Sequence, residues 1–321
     1  MVNLNTVIDE PTLVKTVSGF YNLTGPISCK FIRRSFNDHY LIKAGTKQYV
    51  LRVYLNNKNY IHNIDEIKFE LDYLQYLNSK GIPVMDPIIS NNNKNFIALK
   101  MNDETRYLTL FPFASGFPID ENLYREQSNS LGQIIAKLHL CSNNFVSKYS
   151  RYHLDIKTLI EDPLSIIEKN TYLYGLGNIS FFKNHTNKLI DYINNLPIDV
   201  NSYGLIHGDL NPSNLYFSNK NGFSLFDFDH CGYGYRIHDL AVIKLSFPDQ
   251  VYKAILNGYE EIRPLYTVEK NCIEVYSDIL LIKKFSDIYN MLEITGGNRE
   301  QKKLITQNAY NTLKEFVSRS Y

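Results

Sequence analysis

The sequence predicts an α+β fold in two lobes: a small antiparallel sheet with one helix, then a larger and mainly helical lobe. Three observations predict it. Short β-prone runs fill the first third of the chain. The stretch Pro112-Phe113-Ala114-Ser115-Gly116-Phe117-Pro118 brackets a glycine with prolines, which makes a short, stiff crossing. Beyond it, most segments have helical spacing. With 321 residues, 44% of them hydrophobic, the chain can give each lobe its own core.

Residues 27–34, 39–44 and 48–55 are β-rich, and Ala44-Gly45-Thr46-Lys47 turns between the last two. Residues 61–79 have helical spacing and stop at Gly81-Ile82-Pro83. Two more strands, residues 96–101 and 106–111, follow an Asn-rich turn. The crossing then divides residues 1–112 from residues 113–321. In the second lobe, residues 124–140 carry Leu131, Ile134, Ile135 and Leu138 on one stripe. Residues 156–168, 181–195, 235–247, 268–292 and 301–318 also read as helices, and Gly232-Tyr233-Gly234-Tyr235 as a turn before one of them. Residues 205–229 stand apart and carry a hairpin.

The bulk numbers exclude several classes. There are 34 basic and 33 acidic residues, so the charge balance gives no basis for nucleic-acid binding. Cys29, Cys141, Cys231 and Cys272 are scattered, without metal or disulfide-scaffold spacing, which points to a reducing cytoplasmic compartment. The first residues show no leader pattern, and no apolar run is long enough to span a membrane. Oligomeric state is not legible.

The informative segment is His207-Gly208-Asp209-Leu210-Asn211-Pro212-Ser213-Asn214, followed by Asp227-Phe228-Asp229. It places a carboxylate ahead of an amide, then two more carboxylates beyond a hairpin. That order suits metal-assisted phosphoryl transfer: an acceptor for a hydroxyl proton, then oxygen ligands for Mg²⁺. If Asn219-Lys220-Asn221-Gly222 is the whole loop, Asn214 faces Asp227. If only Asn221-Gly222 turns, Asn214 faces Asp229. Strand periodicity puts Asp227 and Asp229 on one face in either register. His207 braces the loop and Gly208 permits a tight backbone. The bland alternative, Asp and Asn capping a turn, leaves the later carboxylates unexplained. His139, on an amphipathic helix, reads as a core histidine.

Glu70 carries separate weight. Ile64, Ile67, Leu71, Leu74 and Leu77 form one apolar arc, and Glu70 falls inside it. A carboxylate aimed at a core needs a partner, and Arg52 on the preceding strand is the natural one. The alternative leaves Glu70 in solvent, with Glu66 in the role or no pair at all.

Tyr49-Val50-Leu51-Arg52-Val53-Tyr54, Phe69-Glu70-Leu71, Leu131-Gly132-Gln133-Ile134-Ile135-Ala136-Lys137-Leu138-His139, Phe226-Asp227-Phe228-Asp229 and Asp239-Leu240-Ala241 together resemble the aminoglycoside phosphotransferase and choline-kinase-like superfamily, over most of the chain. The similarity is greatest to the bacterial branch that mixes stress-response Ser/Thr kinases with antibiotic and small-molecule kinases. The resemblance implies a protein-kinase-like fold. It makes Asp209 the catalytic base, Asn214 and Asp227 the metal ligands, and Asp239 the anchor of the catalytic loop, with Asp229 in support. Arg52, held by Glu70, would face the phosphates of ATP or GTP, and Phe111 and Phe113 would meet the adenine edge, since Pro112 has no N–H.

Two departures stand out. Arginine replaces the usual strand lysine, and it can still bind phosphate. The turn Arg34-Ser35-Phe36-Asn37-Asp38-His39 has no glycine, which leaves Ser35, Asn37 or backbone amides to cover the phosphates. The expected reaction moves a γ-phosphoryl group to a hydroxyl of a small molecule: an antibiotic, an amino alcohol such as homoserine, a choline-like substrate or a sugar. A Ser/Thr protein kinase and a non-catalytic nucleotide-binding module are the alternatives.

Overall fold

The computed structural model describes residues 5–101, 104–119 and 123–318. Residues 1–4, part of the stretch read for a leader, lie outside them.

The first element is one the sequence reading did not anticipate. Helix α1 (Glu10–Phe20) starts where Asp9 accepts the Thr12 N–H at 2.9 Å and Pro11 enters the first turn. Strands β1 (Ile27–Arg34), β2 (Asn37–Ala44) and β3 (Lys47–Tyr54) follow as an antiparallel meander. Helix α2 (Ile64–Ser79) is capped by Asn63. Strands β4 (Ile97–Lys100) and β5 (Thr105–Pro112) complete a five-stranded sheet in the order β1-β2-β3-β5-β4. Among the described residues the first lobe therefore holds two helices, not one.

Two apolar clusters divide the molecule. Leu13 and Val17 of α1 pack with Tyr40, Ile42, Leu51, Val53, Leu108 and Leu110 of the sheet. The buried face of α2, Phe69, Leu71, Tyr73, Leu74 and Leu77, belongs instead to the larger cluster with Leu131, Phe228 and Ile243. The helix that carries Glu70 is thus anchored in the core of the helical lobe.

The proline–glycine crossing is stitched down by β6 (Phe117–Pro118). Helices α3 (Arg125–Ser142), α4 (Asp162–Leu173) and α5 (Lys183–Asn194) follow, then β7 (Tyr203–Ile206) and the hairpin β8 (Leu215–Ser218) and β9 (Gly222–Leu225). Strand β6 pairs antiparallel with β8. Gly232–Tyr235, expected as a turn, is strand β10, antiparallel to β7. Helices α6 (Ile237–Ser246), α7 (Asp249–Ile262), α8 (Thr267–Thr295) and α9 (Arg299–Ser318) complete the lobe. Helix α7 was also unanticipated. It crosses α3 at close range: a Cβ on Gly132 would lie 1.9 Å from the Ile255 carbonyl oxygen, and one on Gly258 1.9 Å from that of Asn129. Among the described residues, no helix is long and apolar enough to cross a membrane.

Candidate active site

Strand β7 delivers the chain into the loop that begins at His207. Gly208 is left-handed (φ 82°), and a Cβ there would meet the His230 carbonyl oxygen at 2.2 Å, so glycine alone lets the two loops touch. Asp239, in the first turn of α6, accepts the N–H groups of His207 (2.9 Å) and Gly208 (2.8 Å). It also pairs with His139 Nε2 at 3.0 Å, and His139 Nδ1 meets the Tyr259 hydroxyl at 2.8 Å. His139 is a satisfied core histidine. Burial opposes the charge on Asp239, but the His139 hydrogen bond and the surrounding imidazoles of His139, His207 and His238 together outweigh it and hold the carboxyl at about 2.

Asp209 is gripped by neutral amides. Oδ1 accepts from Asn211 Nδ2 at 2.8 Å and Oδ2 from Asn214 Nδ2 at 2.9 Å. Asn214 Nδ2 also reaches the Asp209 carbonyl at 2.9 Å. Burial pushes the carboxyl up to about 7, the Asp227 charge adds to the push, and the amides and Lys283 pull against it.

The hairpin adopts neither expected register. Its loop has three residues, with Ser218 opposite Gly222 and Leu215 opposite Leu225. Asn214 therefore meets Phe226, whose N–H donates to its carbonyl at 3.2 Å. The strand ends at Leu225, so period-two alternation does not reach the carboxylates. Asp227 is left-handed (φ 67°, ψ 57°), and Asp229 lies in the single helical turn Phe228–His230. The two do not share a face. Asp227 lines the inter-lobe cleft, whereas Asp229 turns inward to accept from Lys58 (2.7 Å), Asn37 (2.9 Å) and Tyr60 (2.9 Å).

Arg52 and Glu70 form a buried ion pair at 2.6 Å, and the Tyr54 hydroxyl donates to the second Glu70 oxygen at 3.1 Å. Glu66, the alternative, accepts the His62 N–H instead. Arg52 Nη2 also stands 3.2 Å from Asp227 Oδ1. Burial works against the arginine's charge, but Asp227 and Glu70 outweigh it and raise its pKa well above the usual value. Asp227 Oδ1 is buried with no hydrogen-bond donor. That oxygen has the Arg52 ion pair and no hydrogen bond, and a buried carboxylate of this kind fits a hard divalent cation. Among the described residues, no group of three or more His, Cys, Asp or Glu is set for a metal, and a Mg²⁺ held by one carboxylate, one amide and phosphate oxygens needs none.

Two cavities flank these groups. One, about 370 Å³, lies between the lobes, with Val50, Arg52, Phe111, Phe113, Tyr216 and Asp227 among its lining. Phe111 and Phe113 both line that cleft, but the Phe113 N–H donates to the Gln48 carbonyl at 3.3 Å. Ladder alternation then engages Phe111 with β3 and turns the Pro112 carbonyl away from it. Asn37 is not in the cleft, because both ends of its amide are used by Asp229 and Lys58. Ser35 sits in the β1–β2 turn, its N–H on the Asn37 carbonyl. The other cavity, about 360 Å³, is walled by α6 and α8 and lined by Phe36, Asp209, Asn211, His230, Lys283 and Asp287 among others.

The sequence reading missed Asn211, Lys58, Lys283 and Arg151. Arg151 donates to the carbonyls of Glu66, Asp229 and Cys231, tying α2 to the Asp227 loop. Asn211, three residues before Asn214 in the same motif, was the legible one. The cations lie in polar or helical stretches that read as solvated.

A family model described as the phosphotransferase enzyme family matches residues 29–269. This chain belongs to that family. The phosphotransferase is 25% identical over 292 residues to an uncharacterised protein of Synechocystis sp., covering 89% of this chain and 80% of that one. It is 22% identical over 289 residues to an amicoumacin kinase of Bacillus subtilis, covering 82% and 83%. Among solved structures, an amicoumacin kinase in complex with AMP-PNP, Ca²⁺ and Ami superposes with a TM-score of 0.76 at 18% identity, covering 97% of this chain and 93% of that one. The kinase-like fold expected from the sequence is therefore the one observed.

Proposed function

We propose that this phosphotransferase moves the γ-phosphoryl group of ATP to a hydroxyl of a small molecule, with Asp209 as base. One observation carries the reading: Asp209 lines the cavity between α6 and α8, while Asp227 and Arg52 line the cleft between the lobes. The first suits an acceptor and the second a nucleotide. On this reading residues 1–112 are the nucleotide lobe, and residues 113–321 carry the catalytic loop and the acceptor region.

The chemistry follows from the side chains. The Asn211 and Asn214 amides orient the Asp209 carboxylate. As the acceptor oxygen attacks the γ-phosphorus, its proton passes to Asp209. The bond from phosphorus to the β,γ-bridging oxygen breaks, and ADP leaves with the electron pair. Glu70 holds one side of the Arg52 guanidinium, which then faces the phosphates. Asn214 and Asp227 would hold Mg²⁺, which when bound neutralises charge on the phosphate oxygens. Apolar side chains such as Val50, Phe111 and Tyr216 suit a purine ring.

The helical walls of the second cavity favour a small acceptor over a protein chain, and the kinship with an amicoumacin kinase supports the same class, an antibiotic included. A panel of hydroxyl acceptors, each incubated with ATP and Mg²⁺ and scored for ADP, is the test. ADP release with at least one small acceptor is the expected result. Label passing from ATP only to proteins of a cell lysate would favour a protein acceptor. No transfer to any acceptor would sink the reading.

A further inference from the structure

Lys58 follows β3 in the run Leu55-Asn56-Asn57-Lys58-Asn59, a polar stretch of the kind that forms a solvated turn. Its ammonium is nevertheless fully buried. Nζ donates to Asp229 Oδ2 at 2.7 Å and to Asn37 Oδ1 at 2.7 Å, and lies 5.3 and 5.4 Å from the ring centres of Tyr54 and Tyr60. Asn37 Nδ2 and the Tyr60 hydroxyl donate to that same carboxylate oxygen. Burying a lysine is costly, and a buried polar network holds only when its members are satisfied. These partners come from segments that the reaction needs in register. Asn37 opens β2 directly after the glycine-free turn. Asp229 lies two residues beyond Asp227. Tyr60 lies tilted against His230 with ring centres 4.2 Å apart, and both pack against Phe36 on the wall of the second cavity.

We propose that Lys58 is a positioning residue that latches the glycine-free β1–β2 turn to the Asp227 loop, fixing the wall that Phe36 gives the second cavity relative to the Asp227 carboxylate in the cleft. The role of the latch in catalysis rests on the phosphotransfer reading; the latch itself does not. A glycine-rich loop would owe its fit to flexibility, whereas this turn is preset by a buried charge. Arg151 clamps the Asp227 loop through backbone carbonyls only, so the side-chain link to the turn falls to the Lys58 ammonium and the Asn37 amide, which meet on Asp229.

The test compares the full chain with Lys58→Met and with Lys58→Met/Asp229→Asn, the second leaving no unpaired buried carboxylate should the first fail to fold. In the folded variant, amide hydrogen exchange should quicken by about tenfold or more in residues 34–38 and 227–231 together, with β4 and β5 unchanged. The gain in ATP affinity on adding Mg²⁺, read by calorimetry, should shrink by about tenfold while Mg²⁺-free ATP binding holds. Exchange that rises in one segment alone, or in neither, would overturn the latch. Should the parent chain bind no ATP, the phosphotransfer reading fails, and the exchange result still decides the latch.

Discussion

Asp209 and Asp229 lie twenty residues apart on one segment, and their surroundings drive them in opposite directions. Asp209 is held by two neutral amides, and burial lifts it to about 7. Burial resists ionisation of Asp229 too, but Lys58 and Arg52 overcome it and hold its carboxyl well below the usual range. Shielding is common to both, and the neighbours decide the sign. An amide clamp leaves a carboxylate able to take up a proton near neutrality. A cation clamp makes one a permanent charge. The first suits the base proposed for phosphoryl transfer and the second a structural anchor.

The comparison can be broken in four ways. The largest expected effect is on rate. Asp209→Asn should lower transfer by about 10²–10⁴-fold, with ATP affinity nearly unchanged; steady-state kinetics beside calorimetry would show it, and wild-type turnover would end the base assignment. Next is stability. Lys58→Met strands a buried carboxylate and should cost roughly 3–5 kcal/mol in urea unfolding, most of it recovered in Lys58→Met/Asp229→Asn. Equal losses in the two variants would mean that the cation does not hold Asp229.

The third concerns pH. As the proposed base, Asp209 would work deprotonated, so kcat/KM should climb as pH rises through about 7. Lys283 favours the Asp209 carboxylate, so Lys283→Met should move that climb to higher pH, by less than about one unit; a shift downward would contradict the charge assignment. The smallest effect is a linkage. The folded Asp209 carboxyl titrates at about 7, above its ordinary 3.8, so the native state holds its proton more tightly and loses stability as pH rises from about 4 to about 7. Asp209→Asn removes that loss. It should stabilise the fold at pH 8 by on the order of 1 kcal/mol, after allowance for partial exposure, and leave it unchanged at pH 4.

What could be read from the sequence follows the range of the forces involved. The strands of the five-stranded sheet, helix α2, most helices of the second lobe and the Arg52–Glu70 pair were legible, because alternation, helical stripes and a carboxylate in an apolar arc are local signals. Helix α1 was not, since it buries only Leu13, Thr16 and Val17. Helix α7 was hidden by Gly258, which reads as a breaker until α3 is seen lying against it. Strand β10 was hidden in the same way by Gly232 and Gly234. The hairpin register turned on a single residue of loop length. With it went the shared face of Asp227 and Asp229, because a left-handed backbone at Asp227 ends the alternation. Lys58 was illegible because its partners Asp229 and Asn37 are brought to it only by the folded lobes.

The seam where α3 meets α7 extends its influence well beyond its own packing. Gly258 precedes Tyr259, whose hydroxyl meets His139, which pairs with Asp239, which in turn carries the His207 and Gly208 amides. A methyl group on Gly258 would meet the Asn129 carbonyl oxygen of α3 at 1.9 Å, so the two helices would have to part. Loss of that remote glycine would therefore open the helix seam first and, through the relay, loosen the carboxylate that holds the His207 and Gly208 amides.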